Sequence, residues 1–284
     1  MSAFTPSFSL VTGPGAAPRA LCLVLHGIYG SGGNWRSVAR KLVAARPEWG
    51  FVLVDLREHG RSKGAPPPHR VDTAAAELSR VVAEVEAQAP VRAVIGHSFG
   101  GKVASVFRAQ AARPPAQTWI IDSTPSARPE ALDGGSDVVH VLELLESLPS
   151  RYASRDEFVA AATDAGLSTP VAQWLAMNVE RVDGEFLLTL DLMAMRALLT
   201  DYFARDAWPE LEDPTRGGPL HVVIGERSSA LSPEDRARLD RLASSSAGRI
   251  SVHRLDAGHW VHVDALDPLV ALIADALPGA ANVA

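Results

Sequence analysis

The sequence lacks the features that mark secreted, membrane-bound or nucleic-acid-binding proteins. Its 284 residues include one cysteine, Cys22, so the chain cannot form an internal disulfide. No apolar run approaches the roughly 18 residues of a membrane-spanning helix, and the N-terminus has no secretory signal pattern. The formal charge of -6 disfavours nucleic-acid binding. We therefore expect a cytoplasmic protein with no membrane span and no nucleic-acid partner.

Cofactor motifs are missing as well. No histidines and cysteines cluster as metal ligands, and the glycine-rich segment 26–33 lacks the Gly-Lys-Ser/Thr ending of a phosphate loop. Hydrophobic residues make up 47% of the chain and charged residues 21%, which is typical of a folded protein. The sequence thus indicates a globular protein without a metal or organic cofactor, and it leaves both a monomer and a homodimer open.

Short apolar runs alternate with amphipathic helical patterns through most of the chain. The apolar runs predict buried strands at residues 21–26, 51–56, 91–95, 118–122, 220–225 and 250–255. The helical patterns lie at residues 34–46, 72–89, 232–246, after Ser98, and in a last helix that ends near 277. This alternation predicts an α/β fold in which helices cover both faces of a parallel sheet. Residues 4–12 are expected to add an antiparallel edge strand.

Residues 124–212 interrupt the alternation. They contain helical patterns at 138–148, 155–165, 169–179 and 190–203, with a strand pattern only at 185–190. We expect a mainly helical cap over the carboxyl edge of the sheet, although extra helices on its flank would give the same pattern. The core then consists of residues 1–123 and 213–284.

The pentapeptide Gly96-His97-Ser98-Phe99-Gly100 joins a predicted strand to a predicted helix. A serine at the tip of such a sharp turn brings the backbone on either side into contact, and glycine at 96 and 100 avoids a Cβ clash. The turn holds the Ser98 hydroxyl clear of the sheet, within reach of a base and a substrate carbonyl. We therefore predict that Ser98 is a nucleophile.

A serine nucleophile needs a histidine base, and that base needs a carboxylate. Among nine histidines, His259 follows the last predicted strand in a loop of small residues, at the edge where parallel sheets form active sites. We predict His259 as the base, with His262 as the next candidate. The loop 55–62 also contains acid, base and serine, but sequence neighbours do not converge as a triad does, so we expect it to be structural.

The glycine-rich segment 26–33 follows the first buried strand and predicts an oxyanion hole. Glycine density lets the backbone approach a ligand closely. The N–H groups of Ile28 and Phe99 are the predicted donors to the developing alkoxide. Phe99 also begins a helix, whose dipole favours negative charge at that end.

These segments resemble the α/β-hydrolase superfamily. The matching pieces, in family order, are His26-Gly27, Asp55-x-Arg57-x-His59-Gly60-x-Ser62, Gly96-x-Ser98-x-Gly100-Gly101 and Gly258-His259-Trp260. Residues 96–104, 122–125 and 177–186 are similar to the serine esterase branch that includes α/β-hydrolase domain-containing protein 11 and its bacterial relatives. The resemblance implies an α/β-hydrolase fold with eight mostly parallel strands, a helical lid after strand six, and hydrolysis of carboxylic esters.

The expected position of the triad acid departs from the common family pattern. Many members carry it in a Gly-x-x-Asp turn after strand seven, where this chain has Gly225-Glu226-Arg227-Ser228. Some relatives, including the esterase branch, use an acid at the end of the preceding strand. The resemblance therefore favours Asp122, with Glu226 and Asp235 as alternatives, and a loop-capping role for Asp122 is also open.

The predicted substrate pocket combines the glycine-rich loop with the inserted segment. Its expected residues are His26, Tyr29, Trp174, Met177 and Trp260. We hypothesise a serine hydrolase that cleaves small-molecule esters through an acyl-enzyme and a Ser98–His259–Asp122 triad. The same triad would also serve a cofactor-free perhydrolase or haloperoxidase, a thioesterase or a C–C hydrolase, and the fold alone would serve a non-catalytic ligand receptor.

Overall fold

The computed structural model describes residues 4–15, 17–213 and 215–279. Its strands are β1 (Phe8–Val11), β2 (Ala20–Leu25), β3 (Trp49–Val54), β4 (Val91–His97), β5 (Gln117–Ile121), β6 (Arg151–Tyr152), β7 (Val179–Val182), β8 (Glu185–Leu188), β9 (Leu220–Gly225) and β10 (Ile250–Leu255). Its helices are α1 (Arg36–Ala45), α2 (Val71–Val85), α3 (Phe99–Gln110), α4 (Asp137–Ser147), α5 (Arg155–Asp164), α6 (Thr169–Leu175), α7 (Leu192–Ala204), α8 (Trp208–Glu212), α9 (Pro233–Ser245), α10 (Val261–Asp264) and α11 (Leu266–Ala276).

Seven of these strands form one sheet, in the order β1-β3-β2-β4-β5-β9-β10. Every neighbouring pair is parallel except β1 and β3, which confirms the predicted parallel sheet and its antiparallel edge strand. The eighth strand that the resemblance implied is absent from the described residues. Only residues 4–7 of the described chain precede β1, they contain no strand, and β1 pairs directly with β3.

The central strands β2 and β3 are buried along their whole length, which explains why they are continuous apolar runs. Along β2 the side chains alternate between two hydrophobic clusters. Leu21, Leu23 and Leu25 belong to the cluster with α2 and α3, whereas Cys22 and Val24 belong to the cluster with α1 and α11. Cys22 is completely buried, and burial raises the pKa of its thiol, so this cysteine is a small core residue. Within the described ranges, no helix is both long and apolar enough to cross a bilayer.

The inserted segment, residues 124–212, contains α4–α8, and four of these helices, α4 to α7, overlap the four predicted helical ranges. It also contains a small antiparallel sheet, in the order β6-β8-β7, that the sequence analysis largely missed. The prediction continued a helix to residue 179, where β7 begins. Asp183 and Gly184 both have positive φ, 49° and 93°. This Asp-Gly turn favours a tight hairpin, so β7 pairs with β8 instead of extending the helix.

Both ends of the inserted segment meet at one buried lysine of α3. Lys102 is 1% exposed, and its Nζ donates to the carbonyl oxygens of Ser126, Tyr202 and Arg205 at 3.0, 2.8 and 2.9 Å. The same ammonium lies 4.3 Å from the centroid of the Tyr202 ring. Ser126 belongs to the chain that leaves the sheet after β5, and the other two residues belong to the chain that returns. Lys102 therefore joins the start and the end of the inserted segment to the helix that follows Ser98.

We expect Lys102→Met to lower the free energy of unfolding by about 2–4 kcal/mol, because buried carbonyl groups that lose their donor are costly. Urea-induced unfolding would measure the change. Lys41→Met is the matched control, since Lys41 is exposed and pairs with the exposed Asp267, and it should change stability by less than about 0.5 kcal/mol. Equal effects of the two substitutions would contradict the role assigned to Lys102.

Candidate active site

Ser98 occupies the turn between β4 and α3, with φ 51° and ψ -119°. This backbone conformation is strained for a residue that carries a Cβ, and such strain concentrates at functional sites. A Cβ at Gly96 would lie 2.1 Å from the carbonyl oxygen of Gly100, so glycine is required there, as predicted. A Cβ at Gly100 would instead meet the His26 carbonyl oxygen at 2.5 Å. The second glycine therefore lets α3 approach the end of β2.

His259 follows β10, and its ring contacts the carboxylate of Asp122. The Nδ1 of His259 donates to Oδ2 of Asp122 at 2.7 Å. Because the carboxylate accepts from Nδ1, that nitrogen carries the proton and Nε2 is left as an acceptor. The Asp122 side chain is completely buried, whereas that of His259 is 33% exposed. The predicted base and the predicted acid are thus in contact.

The carboxylate of Asp122 is held by further donors from the turn after β9. Its Oδ1 accepts from the N–H of Gly225 at 3.0 Å, and its Oδ2 accepts from the hydroxyl of Ser228. The Ser228 hydroxyl itself accepts from the N–H of Ala230 at 3.1 Å, so its own proton is available to Asp122. The sequence analysis missed Ser228, although it stands where many family members carry the acid. In this chain that turn supplies donors to an acid on the neighbouring strand.

The alternative acids lie elsewhere. Glu226 is exposed. Asp235 is buried, but it accepts from the hydroxyls of Thr124 and Ser126, so it holds the loop that follows β5. Across the described residues, the carboxylate hydrogen-bonded to His259 is that of Asp122 alone.

Two further histidines surround His259 and are neutral. The ring of His262 stacks on Trp35 with centroids 4.7 Å apart, and burial lowers the pKa of His262 to about 4. The Nε2–H of His97 donates to the backbone carbonyl of His259 at 2.8 Å, and burial lowers the pKa of His97 well below its ordinary value. Although these rings lie close together, no three histidine, cysteine or acidic side chains of the described residues are grouped as metal ligands. His97 and His262 therefore support the loop that carries His259.

The predicted oxyanion-hole residues carry two unpaired backbone donors. Ile28 and Phe99 are 5% and 1% exposed, and in the part of the chain that the structure describes their N–H groups donate to no protein acceptor. Buried N–H groups in folded proteins are rarely left unpaired. Ile28 also lines the cavity that contains Ser98. These two donors are therefore available to a bound ligand beside the serine.

The loop that contains Ile28 is held by two buried, neutral histidines. The N–H of Leu56 donates to Nε2 of His26, and the N–H of Tyr29 donates to Nε2 of His59, both at 3.0 Å. Each ring therefore carries its proton on Nδ1, which donates to a nearby backbone carbonyl. Burial lowers the pKa of His26 to about 4 and that of His59 to about 3. The structural role predicted for the loop 55–62 is thus confirmed.

A cavity of about 430 Å3 opens beside Ser98 and His259. Four of the predicted pocket residues line it, namely His26, Tyr29, Trp174 and Trp260. The inserted segment also contributes Val138, Val141 and Val171, so the wall is mostly apolar. Trp174 belongs to the inserted segment and Trp260 to the loop after β10, and the centroids of their rings lie 5.4 Å apart.

Met177 is not brought into this cavity wall. Its side chain is 48% exposed, and its Sδ lies 3.9 Å from Nδ2 of Asn34, which does line the cavity. A second, smaller cavity of about 190 Å3 reaches Ser98 and His259 from another side. Its wall is more polar and includes Thr124, Arg128, Ser136, Asp137 and Ser229. Two cavities of different polarity therefore adjoin the serine and the histidine.

A sequence profile of the Alpha/beta hydrolase family matches residues 22–272. The chain belongs to the alpha/beta hydrolase family. The sn-1-specific diacylglycerol lipase ABHD11 of Mus musculus is 25% identical over 265 residues, which cover 91% of this chain and 80% of that protein. Lipase LipV of Mycobacterium tuberculosis is 32% identical over 151 residues, 53% of each chain. These similarities confirm the predicted resemblance.

Solved structures show the same fold. A marine microorganism esterase aligns with a TM-score of 0.78 at 21% sequence identity, over 97% of this chain and all of its own (100%). The thioesterase domain from the curacin biosynthetic pathway aligns with a TM-score of 0.66 at 22% identity, over 95% and 99% of the two chains. The predicted alpha/beta hydrolase fold is therefore confirmed.

The buried histidines of this alpha/beta hydrolase predict acid-sensitive stability. His26 and His59 have a pKa near 6.5 when unfolded but about 4 and about 3 when folded. Between pH 6.5 and 4 the unfolded chain binds protons that the folded chain does not, so the free energy of unfolding should fall as the pH falls. Urea unfolding at pH 7.0, 6.0 and 5.0 would measure the slope. His59→Gln keeps an acceptor for the Tyr29 N–H but does not titrate.

For His59→Gln, the free energy of unfolding should fall less steeply with falling pH than for the wild type. The loss of one titrating group changes this slope by up to about 1.4 kcal/mol per pH unit. The exposed His140 offers the control His140→Gln, for which we expect no change from the wild-type slope. A wild-type protein whose stability is unchanged from pH 7.0 to 5.0 would contradict the neutral state of these histidines.

Proposed function

We propose that the protein is a serine hydrolase that cleaves carboxylic esters of small molecules. One observation carries the proposal. His259, whose Nδ1 is hydrogen-bonded to the buried carboxylate of Asp122, lines the same cavities as Ser98. This arrangement orients the free Nε2 as a base beside a strained serine. The lipase and esterase relatives support the same chemistry.

In the first half of the proposed reaction, the Ser98 hydroxyl oxygen attacks the ester carbonyl carbon. Its proton moves to Nε2 of His259, and Asp122 stabilises the imidazolium that forms. The carbonyl oxygen becomes an oxyanion that accepts from the N–H groups of Ile28 and Phe99. The C–O bond of the leaving group then breaks, and the departing alcohol takes the proton from His259. The product of this half is an acyl-enzyme on Ser98.

In the second half, water enters where the alcohol left. His259 removes a proton from the water as its oxygen attacks the acyl carbon, and the oxyanion forms again at the same two donors. Collapse of this intermediate releases the carboxylic acid and returns the proton to Ser98. The larger, apolar cavity suits an apolar part of the ester, and the smaller cavity suits a more polar part. The inserted segment, residues 124–212, acts as a cap that completes the larger cavity.

Ser98→Ala should abolish turnover of p-nitrophenyl esters, because the covalent route requires the hydroxyl. We expect kcat/KM to fall by at least about a thousand-fold. A series of acyl chains from acetate to decanoate, measured by release of p-nitrophenolate, would also define the preferred acyl length. The matched control is Ser79→Ala, which removes an exposed hydroxyl of α2 that lines neither cavity beside Ser98 and should retain wild-type kcat/KM.

Other results would support the alternative activities. Preferential turnover of acyl thioesters would favour a thioesterase, and bromination that depends on hydrogen peroxide and exceeds ester hydrolysis would favour a perhydrolase or haloperoxidase. Cleavage of C–C bonds in preference to esters would favour a C–C hydrolase. Tight ligand binding with no turnover by the wild type would favour a receptor and would rule out the proposed function.

The triad acid has a separate test. Asp122→Asn should lower kcat by orders of magnitude, about 10⁴-fold in the corresponding change of a serine protease, because the amide no longer fixes the productive tautomer of His259. Glu226→Gln, at an exposed position, should leave kcat unchanged. Asp235→Asn tests the buried alternative and should mainly lower stability, as followed by urea unfolding. Near-full activity of Asp122→Asn together with an inactive Glu226 or Asp235 variant would disprove the assignment of Asp122.

A further inference from the structure

Tyr29, the residue after Ile28, uses all three of its polar groups in hydrogen bonds. Its N–H donates to His59 of the core at 3.0 Å. Its hydroxyl donates to the carbonyl oxygen of Val138 at 2.7 Å, and its carbonyl oxygen accepts from Nδ2 of Asn178 at 2.9 Å. Val138 and Asn178 both belong to the inserted segment. The conformation of this residue therefore depends on both parts of the molecule.

The backbone of Tyr29 needs such support. Its φ is 62°, in the left-handed region that a residue with a large side chain rarely adopts. Conformations of this kind cost about 1–3 kcal/mol and persist where surrounding contacts fix them. The peptide that joins Ile28 to Tyr29 lies between the unpaired N–H of Ile28 and the carbonyl that Asn178 binds. Because only this peptide separates the two groups, a shift of the Tyr29 main chain also shifts Ile28 and changes the position of its N–H.

Asn178 is placed to hold this backbone. It lies in the short 3-10 turn Ala176–Asn178 and is 8% exposed, although its neighbour Met177 is 48% exposed. Its own carbonyl oxygen accepts from both the N–H and the hydroxyl of Thr189 at 2.9 Å. These bonds fix the main chain of Asn178, so its side-chain amide is directed from a rigid position. A buried amide that donates to a strained backbone is costly to lose, because the carbonyl it serves would be left unpaired.

We infer that Asn178 is a positioning residue for the oxyanion hole, which it acts on through Tyr29. The inference rests on the proposed function, since the hole matters only if an oxyanion forms there. The inserted segment then has a part in catalysis besides covering the cavity. Asn178 touches no reacting atom, and its contribution is the orientation of the Ile28 N–H toward the developing charge.

The test compares full-length variants with matched shapes. Asn178→Asp keeps the side-chain volume but replaces the donor with a carboxylate that repels the Tyr29 carbonyl, and Asn178→Ala removes the group. Both should lower kcat for a p-nitrophenyl ester by about ten- to a hundred-fold with KM changed less than two-fold. Thr163→Val is the control, because it removes a side-chain hydrogen bond within α5 of the same inserted segment, to the Val159 carbonyl at 2.8 Å, without touching Asn178 or Tyr29. It should keep kcat within two-fold of the wild type.

A second readout separates positioning from a general loss of structure. A trifluoromethyl ketone that adds to Ser98 carries an oxyanion, whereas the alcohol product has no carbonyl oxygen to place at the two donors. Asn178→Asp should weaken inhibition by the ketone by the same factor as it lowers kcat/KM, and should leave inhibition by the alcohol unchanged. Equal weakening of both inhibitors, with a lowered urea midpoint, would show a merely structural role and overturn the inference.

The failure of the inference is distinguishable from failure of the proposed function. Labelling of Ser98 by a fluorophosphonate probe, together with ester turnover by the wild type, tests the proposed function alone. An active, labelled wild type with a fully active Asn178→Asp variant would overturn only the role of Asn178. A wild type that neither labels nor turns over esters would overturn both.

Discussion

The close approach of backbone to backbone around the start of α3 determines most of the site. Gly96 lies against the carbonyl of Gly100, Gly100 lies against β2, and a Cβ at Gly101 would be 2.6 Å from that of Ser123. Because these glycines carry no side chain, the start of α3 packs directly against the ends of β4 and β2 and against Ser123, which follows β5. The positions of Ser98 and of the Phe99 N–H are consequently set by main-chain contacts, which tolerate less adjustment than side chains do.

Uncharged histidine rings also hold this site together. Among the described residues, His259 is the one histidine hydrogen-bonded to a carboxylate. His26 and His59 use one nitrogen to accept from the backbone and the other to donate to it. Such a ring connects two loops without bringing a charge into the core. The distance of a histidine from Ser98 is therefore a poor indication that it is the base. The hydrogen-bond partners of its two ring nitrogens are a better indication.

Most of the main sheet could be predicted because its central strands, such as β2 and β3, are buried on both faces and form apolar runs. Residues 220–225 and 250–255 were predicted with the bounds that β9 and β10 have. β10 is a partly exposed edge strand that contains polar residues, so the helical patterns on either side of it were needed to place it. The proposed nucleophile Ser98 and the proposed base His259 were also selected from local spacing. Each stands in a short, glycine-bearing loop directly after a strand.

The features that the sequence did not predict depend on contacts between residues that are far apart in the sequence. Ser228 carries no signal until Asp122 is known to lie beside it, 106 positions earlier. Apolar character selected Met177 for the pocket, but the polar Asn178 next to it is the one that turns inward. The local sequence cannot show which of these two neighbours is buried, because Asn178 is held by Tyr29, which lies 149 positions earlier in the chain.

The inserted segment leaves and re-enters the sheet at nearly the same point. The N–H of Arg128 donates to the Phe203 carbonyl at 2.6 Å, and the N–H of Ala207 donates to that of Pro125 at 2.8 Å. The strands on either side, β5 and β9, are neighbours in the sheet. Because its two ends are joined by these bonds, the segment between them can change in length or sequence without moving the strands. In evolution, the shape of the cavity is thus free to diverge while the serine, the histidine and the acid keep their places.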